Sequence, residues 1–274
     1  MDCNSIEEGV KLSNEFKDLN VAITGADGGI GQELSRHFGK LGAKIFAIDK
    51  NSSVTDFTNV LSKENISAIP FICDIADAKA IQKGFLDFSK NHGEIDILIN
   101  NAGFSAHPTL DKTNPEEWAF DINGNLNGAY NCVYAVLDGM KRKGKGSIVT
   151  VGSVNGLSSL GDPAYSAAKA ALISMTKAIA MENGRYGIRA NIVLPGTVRT
   201  PLWNKRAEKD PKVLETLVKW YPLARIAEPS DVSNAVAFLA SDAASAITGV
   251  ALPVDCGLTA GNIVMSRELT LENF

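Results

Sequence analysis

Hydrophobic residues along the chain fall into short runs separated by longer stretches of mixed polarity. Seven runs are rich in β-branched residues and lack a clean alternation of polar and apolar positions, which is typical of parallel strands covered on both faces. These runs span residues 19–26, 43–50, 68–75, 95–103, 146–153, 189–196 and 250–257. The pattern therefore predicts seven buried strands in a mostly parallel sheet.

The stretches between these strands carry helix signals. In TNPEEWAF, Asn114 can cap a helix, Pro115 suits the first helical position, and Glu116 and Glu117 favour the positive end of the helix dipole. Strand and helix alternate from end to end, without a linker or an internal repeat. The chain therefore predicts an α/β fold, a single doubly wound domain over residues 1–274 with helices on both faces of the sheet.

Residues 200–229 interrupt this alternation. They form a charged, helical insertion between the last two predicted strands and are bounded by Pro201 and Pro229. A long excursion at the carboxyl end of a strand is often a lid over an active site, so this segment is interpreted as a substrate lid. A surface helical hairpin is the alternative.

Composition excludes several classes of protein. The 274 residues are 45% hydrophobic and 21% charged with a net charge of −4, and the basic residues form no cluster, so we expect no nucleic-acid or membrane partner. The N-terminus is polar and acidic, unlike a signal peptide, and no apolar run approaches the roughly 18 residues that span a bilayer. A cytoplasmic protein is expected. The four cysteines and three histidines are scattered, which argues against a metal site.

The segment TGADGGIG at 24–31 directly follows the first predicted strand. Gly25, Gly29 and Gly31 have the spacing GxxxGxG. Glycines at such a turn let the backbone approach a pyrophosphate at the positive N-terminus of the next helix. A dinucleotide site is therefore predicted here, with a merely structural turn as the alternative.

A carboxylate closes the second strand. Asp49 follows Gly25 by 24 residues, where it can bind the hydroxyls of an adenosine ribose and repel a 2′-phosphate. Asp27 adds a second negative charge within the loop. Lys50, next to Asp49, slightly weakens the expected repulsion of a 2′-phosphate. The balance favours NAD over NADP. Asp74, at the end of the third strand, is either an adenine contact or a solvated turn residue.

Tyr165 and Lys169 lie four residues apart in the alanine-rich segment YSAAK. This spacing puts both side chains on one helical face. They form either a packed ring beside a solvated ammonium, or a proton donor beside the group that tunes its pKa.

Further motifs distinguish these alternatives. In chain order they are NNAG at 100–103, NGNLNG at 123–128, GSVNG at 152–156, YSAAK at 165–169, PGTVRTP at 195–201 and ITGVALPVDCG at 247–257. Together with the glycine-rich turn, this set resembles the short-chain dehydrogenase/reductase family over residues 18–261. The resemblance implies a Rossmann fold and hydride transfer between a nicotinamide cofactor and a secondary alcohol or ketone.

The resemblance also implies roles for individual residues. Tyr165 would be the general acid/base, Lys169 would lower its pKa and hold the nicotinamide ribose, Ser153 would bind the substrate oxygen, and Asn125 would hold a water linking Lys169 to solvent. An ammonium and a positive nicotinamide ring would lower the phenol pKa by roughly 2 to 3 units, or about 3 to 4 kcal/mol. The expected cofactor contacts are Gly25, Asp27, Gly29, Ile30, Gly31, Asp49, Asp74, Ile75, Asn101, Ala102, Gly103, Tyr165, Lys169, Pro195, Gly196, Val198 and Thr200.

The substrate class is less constrained. The lid carries aromatic residues that can pack on a sugar, Trp203, Trp220 and Tyr221, with Trp203, Ser153 and Tyr165 expected at the substrate. It also carries cations that can meet an anion: Arg199, Lys205 and Arg206. A sugar, polyol or sugar-acid dehydrogenase is predicted. The alternatives are a 3-oxoacyl thioester reductase and, in another class, a non-catalytic cofactor-binding scaffold or sensor; an epimerase or dehydratase would have a longer chain.

Five expectations concern the rest of the chain. The resemblance implies a homotetramer or homodimer formed through helices near 115–141 and 164–185, and the tail at 262–274 reaches a neighbouring subunit or frays. Cys73 and Cys132 are expected to be small buried residues. Cys256 replaces a second glycine that the family often has, which puts the last turn in question. His107 is either a substrate contact or an ordinary loop residue.

Overall fold

A computed structural model describes residues 15–273, apart from the side chains at 202, 204, 205 and 207. Most of the polar N-terminus, with Cys3 as one of the four cysteines, lies outside this range. Seven strands form one sheet: β1 Asn20–Thr24, β2 Lys44–Asp49, β3 Ala68–Ile72, β4 Ile97–Asn100, β5 Gly146–Val151, β6 Ile188–Pro195 and β7 Ala251–Val254. Each lies inside or within one residue of a segment expected from the hydrophobic pattern.

Helices connect these strands. They are α1 Gly29–Lys40, α2 Ser53–Lys63, α3 Ala78–His92, α4 Pro115–Ile122, α5 Gly128–Lys143, α6 Pro163–Asn183, α7 Pro201–Lys209, α8 Val213–Val218, α9 Pro229–Ala240 and α10 Ile263–Thr270. The expected insertion thus contains α7 and α8. Among residues 15–273, no helix combines the length and apolar character needed to cross a bilayer.

The strands are ordered β3-β2-β1-β4-β5-β6-β7, and every neighbouring pair is parallel. The expected doubly wound sheet is therefore confirmed and is parallel throughout. The chain reverses direction across the sheet between β1 and β4. In doubly wound folds, ligands bind in the crevice outside the carboxyl ends of the strands at such a switch point.

Alternate residues of the strands pack into different layers of core. In β4, Ile97 and Ile99 belong to one hydrophobic cluster, whereas Leu98 belongs to another on the opposite face of the sheet. Both faces are apolar because helices cover both. This arrangement explains why the strands read as continuous hydrophobic runs.

Helix α4 begins as expected and ends in an unexpected turn. The Asn114 side chain accepts a hydrogen bond from the Glu117 amide (2.8 Å), and the Glu117 carboxylate accepts one from the Asn114 amide (2.9 Å), which completes a capping box. Between α4 and α5, residues 123–127 form a π-helical turn. The π-turn contains Asn125.

The cysteines at 73 and 132 are buried, as expected, and burial raises the pKa of Cys73 to about 11. Cys256 adopts a left-handed conformation with φ of 53°, followed by Gly257 with φ of 87°. The last turn therefore forms with a cysteine in place of glycine, at a cost of about 1 kcal/mol of backbone strain.

Candidate active site

A cleft of about 1830 Å³ opens at the carboxyl ends of the strands. Its walls include Asp49 at the end of β2 and Tyr165 on α6. The walls also include most of the residues expected to contact a cofactor: Gly25, Asp27, Gly29, Ile30, Asp74, Ile75, Asn101, Ala102, Gly103, Lys169, Pro195, Gly196, Val198 and Thr200. Gly31 and Asn125 do not line the cleft.

The glycine-rich turn joins β1 to α1. Gly25 has φ of +63°, which favours glycine. A Cβ on Gly31 would lie 2.0 Å from the carbonyl oxygen of Gly25, so Gly31 permits α1 to pack closely against the turn. A Cβ on Gly29 would lie 2.8 Å from the Thr200 side chain. Bare backbone is thus required at three points of this turn.

Asn101 braces the same turn from β4. Its side-chain amide donates hydrogen bonds to the carbonyl oxygens of Thr24 (3.0 Å) and Gly25 (3.1 Å). In return, the Thr24 hydroxyl accepts hydrogen bonds from the amides of Asn101 and Ala102, both at 3.0 Å. Sequence reasoning missed Thr24, because a hydroxyl at the end of a buried strand carries no signal of its own. The contact ties β1 to β4 at the switch point.

The carboxylate of Asp49 is held by backbone amides. It is 8% exposed and accepts hydrogen bonds from the amides of Asp27 (3.2 Å) and Asn51 (3.0 Å). Asp74 similarly accepts one from the Ala76 amide at 2.9 Å, so it is a turn residue that also lines the cleft. The Lys50 ammonium lies 5.1 Å from the centre of the Phe104 ring.

This end of the cleft fits a dinucleotide. The glycine turn offers unobstructed backbone at the N-terminus of α1, where a pyrophosphate is favoured. The Asp49 carboxylate is buried at the edge of the sheet, and its oxygens retain lone pairs for ribose hydroxyls. The Asp27 carboxylate is occupied within the protein, because it accepts hydrogen bonds from Gln32 and Ser53.

The opposite end of the cleft brings Ser153, Tyr165 and Lys169 together. Ser153 follows β5, and Tyr165 lies in the first turn of α6. Lys169, one turn later, is 3% exposed. Its ammonium lies 5.3 Å from the centre of the Tyr165 ring and donates a hydrogen bond to the Val151 carbonyl oxygen at 3.0 Å. The helical spacing thus places both side chains against the end of β5.

The protein around Tyr165 shifts the pKa of this residue in both directions. Burial raises the pKa of Tyr165, a hydrogen bond with Ser153 lowers it, and the nearby Asp162 raises it. Burial also lowers the pKa of Lys169 to about 8. The protein around Tyr165 therefore raises its pKa on balance, because desolvation of the phenolate outweighs the hydrogen bond with Ser153. The expected lowering by Lys169 together with a positive nicotinamide ring stays a prediction.

Asn125 lies behind the cleft wall and is fully buried. Its carboxamide accepts a hydrogen bond from the Phe104 amide (3.1 Å) and donates to the carbonyl oxygens of Phe104 (2.8 Å) and Asp121 (2.9 Å). A Cβ on Gly103 would lie 2.9 Å from the Asn125 oxygen and 3.1 Å from the Lys169 ammonium. Asn125 and Lys169 therefore face each other across Gly103, and the Asn125 side chain serves to hold Phe104.

Two further parts of the site were missed by sequence reasoning. Asn155 lines the cleft, and its amide group donates to the Ser166 hydroxyl at 3.1 Å, which links the Ser153 turn to α6. Leu258, Thr259 and Asn262 line the cleft as well. The tail expected to reach a neighbour or fray thus begins, in this structure, at the cleft of its own chain.

The lid residues divide into two groups. Trp203, Arg206 and Trp220 line the cleft, and the Arg206 guanidinium stacks 4.5 Å from the Trp203 ring. Tyr221 lines the cleft as well, but it is buried and donates its hydroxyl to Thr197 at 2.7 Å. Arg199, just before the lid, instead pairs with Glu228 at 2.8 Å. The Lys205 side chain lies outside the described part of the chain.

His107 does not line the cleft. Its two ring nitrogens each lie 3.5 Å from a carboxylate oxygen, one on Glu117 and one on Asp121. His107 is a loop residue, as one of the two expectations had it, and its ring also lies between two carboxylates.

This geometry agrees with the comparisons to known proteins. A family model described as enoyl-(acyl carrier protein) reductase matches residues 25–259. The chain belongs to the short-chain dehydrogenase/reductase family. It is therefore an oxidoreductase of that family, and the resemblance seen in the motifs is confirmed.

Relatives match almost the whole chain. An uncharacterised oxidoreductase of Schizosaccharomyces pombe is 41% identical over 254 residues, which are 92% of this chain and 95% of that protein. The crystal structure of a Burkholderia thailandensis oxidoreductase of the short-chain dehydrogenase/reductase family is 47% identical with a TM-score of 0.88, covering 93% and 98% of the two chains. An NAD⁺-bound xylitol dehydrogenase structure is 26% identical with a TM-score of 0.84, covering 88% and 99%.

Proposed function

We propose that this protein is an NAD-dependent dehydrogenase that oxidises a secondary alcohol of a sugar, polyol or sugar acid, and reduces the corresponding ketone in reverse. The observation that carries this proposal is the arrangement of one cleft. Ser153, Tyr165 and Lys169 meet at one end, and the Asp49 carboxylate stands at the other. A small hydroxylated substrate beside Tyr165 would complete the site.

Ser153, Tyr165 and Lys169 have different roles in proton transfer. Ser153 donates a hydrogen bond to the substrate oxygen and fixes its position, and Tyr165 accepts the hydroxyl proton during oxidation. Lys169 is held by the Val151 carbonyl at 3.0 Å, so its charge remains beside Tyr165. Gly196 and Tyr165 line the part of the cleft that would hold a nicotinamide ring, which would supply the hydride acceptor.

Asp49 supports NAD as the preferred cofactor. Its carboxylate is 8% exposed and fixed by two backbone amides, so it cannot swing away from an approaching phosphate without losing both hydrogen bonds. A 2′-phosphate at this point would place negative charge against negative charge, whereas ribose hydroxyls would donate to the carboxylate.

The substrate end of the cleft supports a hydroxylated, carboxylate-bearing substrate. Trp203 and Trp220 offer aromatic faces that can cover the apolar side of a sugar. The Arg206 guanidinium stacks on Trp203 and has no carboxylate partner among the described residues. Xylitol is the polyol named for one structural relative. A sugar acid would use both the aromatic faces and the cation.

The experiment is a spectrophotometric screen at the NADH absorption band. Polyols, aldoses, sugar acids and simple secondary alcohols are each incubated with the protein and NAD⁺ or NADP⁺, with Tyr165→Phe as the blank. NADH formation that requires Tyr165 with a sugar-type substrate supports the proposal. Turnover confined to simple alcohols, or turnover only with NADP⁺, would contradict it.

A 3-oxoacyl thioester reductase is a second candidate. The matching family model carries an acyl-carrier description, and a 3-oxoacyl-[acyl-carrier-protein] reductase of Thermotoga maritima is 34% identical. Acetoacetyl-CoA with NADPH or NADH tests this reaction directly. The scaffold alternative predicts cofactor binding without turnover on any substrate, although Tyr165 and Lys169 are both in place.

We also propose that the protein assembles as a homodimer or homotetramer through α4, α5 and α6. Trp118, Phe120, Tyr130 and Tyr134 are exposed on the first two of these helices. Exposed aromatic side chains in such number favour an interface. Light scattering coupled to gel filtration gives the mass, and a monomer at all concentrations would refute the assembly.

A further inference from the structure

Residues 104–108 form a segment without regular secondary structure that follows β4 and the motif at 100–103. We call this segment the strap. At its start, Phe104 exchanges two backbone hydrogen bonds with the Asn125 carboxamide, at 3.1 and 2.8 Å. At its end, the Pro108 carbonyl accepts a hydrogen bond from the Asp162 amide at 3.1 Å. The strap thus joins the π-turn to the residue that precedes α6.

His107 is the side chain that fastens the middle of the strap to α4. Its Nδ1 lies 3.5 Å from a carboxylate oxygen of Asp121, and its Nε2 lies 3.5 Å from one of Glu117. These separations are longer than ordinary hydrogen bonds, so each ring nitrogen is in weak polar contact with one carboxylate. The ring therefore lies between the carboxylates of Glu117 and Asp121.

The Asp121 side chain has no other partner in the described part of the chain. Its side chain is 1% exposed, and neither carboxylate oxygen accepts an ordinary hydrogen bond. The His107 Nδ1 is also buried without one. A buried carboxylate that lacks donors is costly, so a nearby imidazole N–H is the group that compensates it.

Asp121 also belongs to the turn that holds Asn125. The Asn125 amide donates to the Asp121 carbonyl oxygen at 2.9 Å. The same residue therefore contacts Asn125 through its backbone and faces His107 through its side chain. A displacement of His107 would therefore shift the π-turn. Through Pro108 and Asp162, it would also shift the start of α6, the helix that carries Tyr165.

We propose that His107, paired with Asp121 and Glu117, is a positioning residue that sets the strap so that Asn125 and Tyr165 stand correctly around Lys169. It does not touch the substrate, since it does not line the cleft. The inference rests on the proposed function for its kinetic readout, but its structural readout is independent of any substrate.

Four substitutions test whether the His107 ring positions the strap. His107→Leu removes both ring nitrogens, whereas His107→Asn keeps one N–H donor at the place of Nδ1. Asp121→Asn removes the charge at nearly constant volume. Glu116→Gln, on the exposed side of the same helix, is the matched control.

The kinetic readout is kcat, substrate KM and the Kd of NAD⁺ on variants with an unchanged cooperative thermal transition. We expect His107→Leu and Asp121→Asn to lower kcat at least tenfold with less than a twofold change in NAD⁺ affinity. His107→Asn should retain at least a third of wild-type kcat. A kcat within twofold of wild type in both His107→Leu and Asp121→Asn, or an equal loss in His107→Asn and His107→Leu, would overturn the proposal.

Hydrogen–deuterium exchange supplies the readout that needs no turnover. Peptides covering 104–108 and 157–162 should exchange faster in His107→Leu and Asp121→Asn, while peptides of α1 and β2 keep wild-type rates. If the wild type shows no dehydrogenase activity but exchange rises in the two variants as described, the proposed function is wrong and the positioning role of His107 is supported. Unchanged exchange in both segments refutes the strap. If His107→Leu does not fold, Asp121→Asn decides by the same criterion.

Discussion

The ammonium of Lys169 donates a hydrogen bond to the carbonyl oxygen of Val151, the last residue of β5, across 3.0 Å. The lysine is 3% exposed, and burial lowers its pKa to about 8. A cation is thus held at the carboxyl edge of the sheet without a carboxylate partner among the described residues. The protein retains this charge at a cost in stability.

Replacement of Lys169 by methionine should change how stability depends on pH. Because the folded-state pKa is depressed from 10.5 to about 8, the charged lysine destabilises the fold fully below pH 8 and not at all above pH 10.5. The stability of Lys169→Met relative to wild type should therefore fall by about 2 to 3 kcal/mol between pH 7 and pH 10. Urea unfolding of the cofactor-free protein at both pH values measures this difference.

Lys177→Met is the control for that measurement, because Lys177 lies on the same helix and is exposed. Its stability relative to wild type should stay constant over the same range. A constant difference for Lys169→Met as well would show that the ammonium is solvated.

Tyr165→Phe should lower kcat by about a thousandfold or more, since general acid/base catalysis contributes two to four orders of magnitude. The phenol is lost but the ring remains, so the affinity for NAD⁺ should stay within a fewfold of wild type. Stopped-flow or steady-state NADH formation measures kcat, and quenching of protein fluorescence measures binding. A variant that keeps more than a tenth of wild-type turnover would remove Tyr165 from the chemistry.

Ser153→Ala should move the pH profile of alcohol oxidation to higher pH. Oxidation needs the deprotonated phenol, so the rate rises with pH through the pKa of Tyr165. The hydrogen bond with Ser153 lowers that pKa, and its loss should therefore shift the rising limb upwards. The profile of kcat/KM against pH checks the direction. A limb that moves to lower pH contradicts the assigned hydrogen bond.

Asp49→Asn should shift cofactor preference towards NADP. Loss of one charge beside the 2′-position should change the ratio of kcat/KM for NAD⁺ over NADP⁺ by about 10-fold to 100-fold, equivalent to 1.4 to 2.8 kcal/mol. Asp56→Asn is the control, because Asp56 is exposed in the first turn of α2 and does not line the cleft. An equal shift in both variants would assign the effect to general charge.

Arg206→Gln should weaken binding of carboxylate-bearing substrates. The KM for a sugar acid should rise about tenfold, as expected for loss of one charge-assisted hydrogen bond, while the KM for the matching neutral polyol changes little. Lys209→Gln, on the same helix but outside the cleft wall, should leave both values unchanged. Equal changes for acid and polyol in Arg206→Gln would place the cation away from the substrate.

The motifs predicted which residues form most of the site, but they did not predict all of its geometry. The segment YSAAK places Tyr165 and Lys169 on one helical face, and the structure keeps them there because the helix repeat fixes that relation locally. The π-turn around Asn125 was not expected, since its residues carry no signal that separates it from an α-helix. The strap was also missed, because His107, Asp121 and Asp162 are far apart in the sequence.

The sequence by itself determined the seven parallel strands, the glycine turn and the carboxylate that ends β2. Each follows from a local rule, such as continuous apolar runs, backbone freedom at Gly25 or the helix repeat. Only the tertiary structure decided which lid cation faces the cleft, that burial raises the pKa of Tyr165, and that His107 meets Asp121. The physical reason is that solvent exclusion and ion pairing depend on which distant segments pack together, and a local pattern does not contain that information.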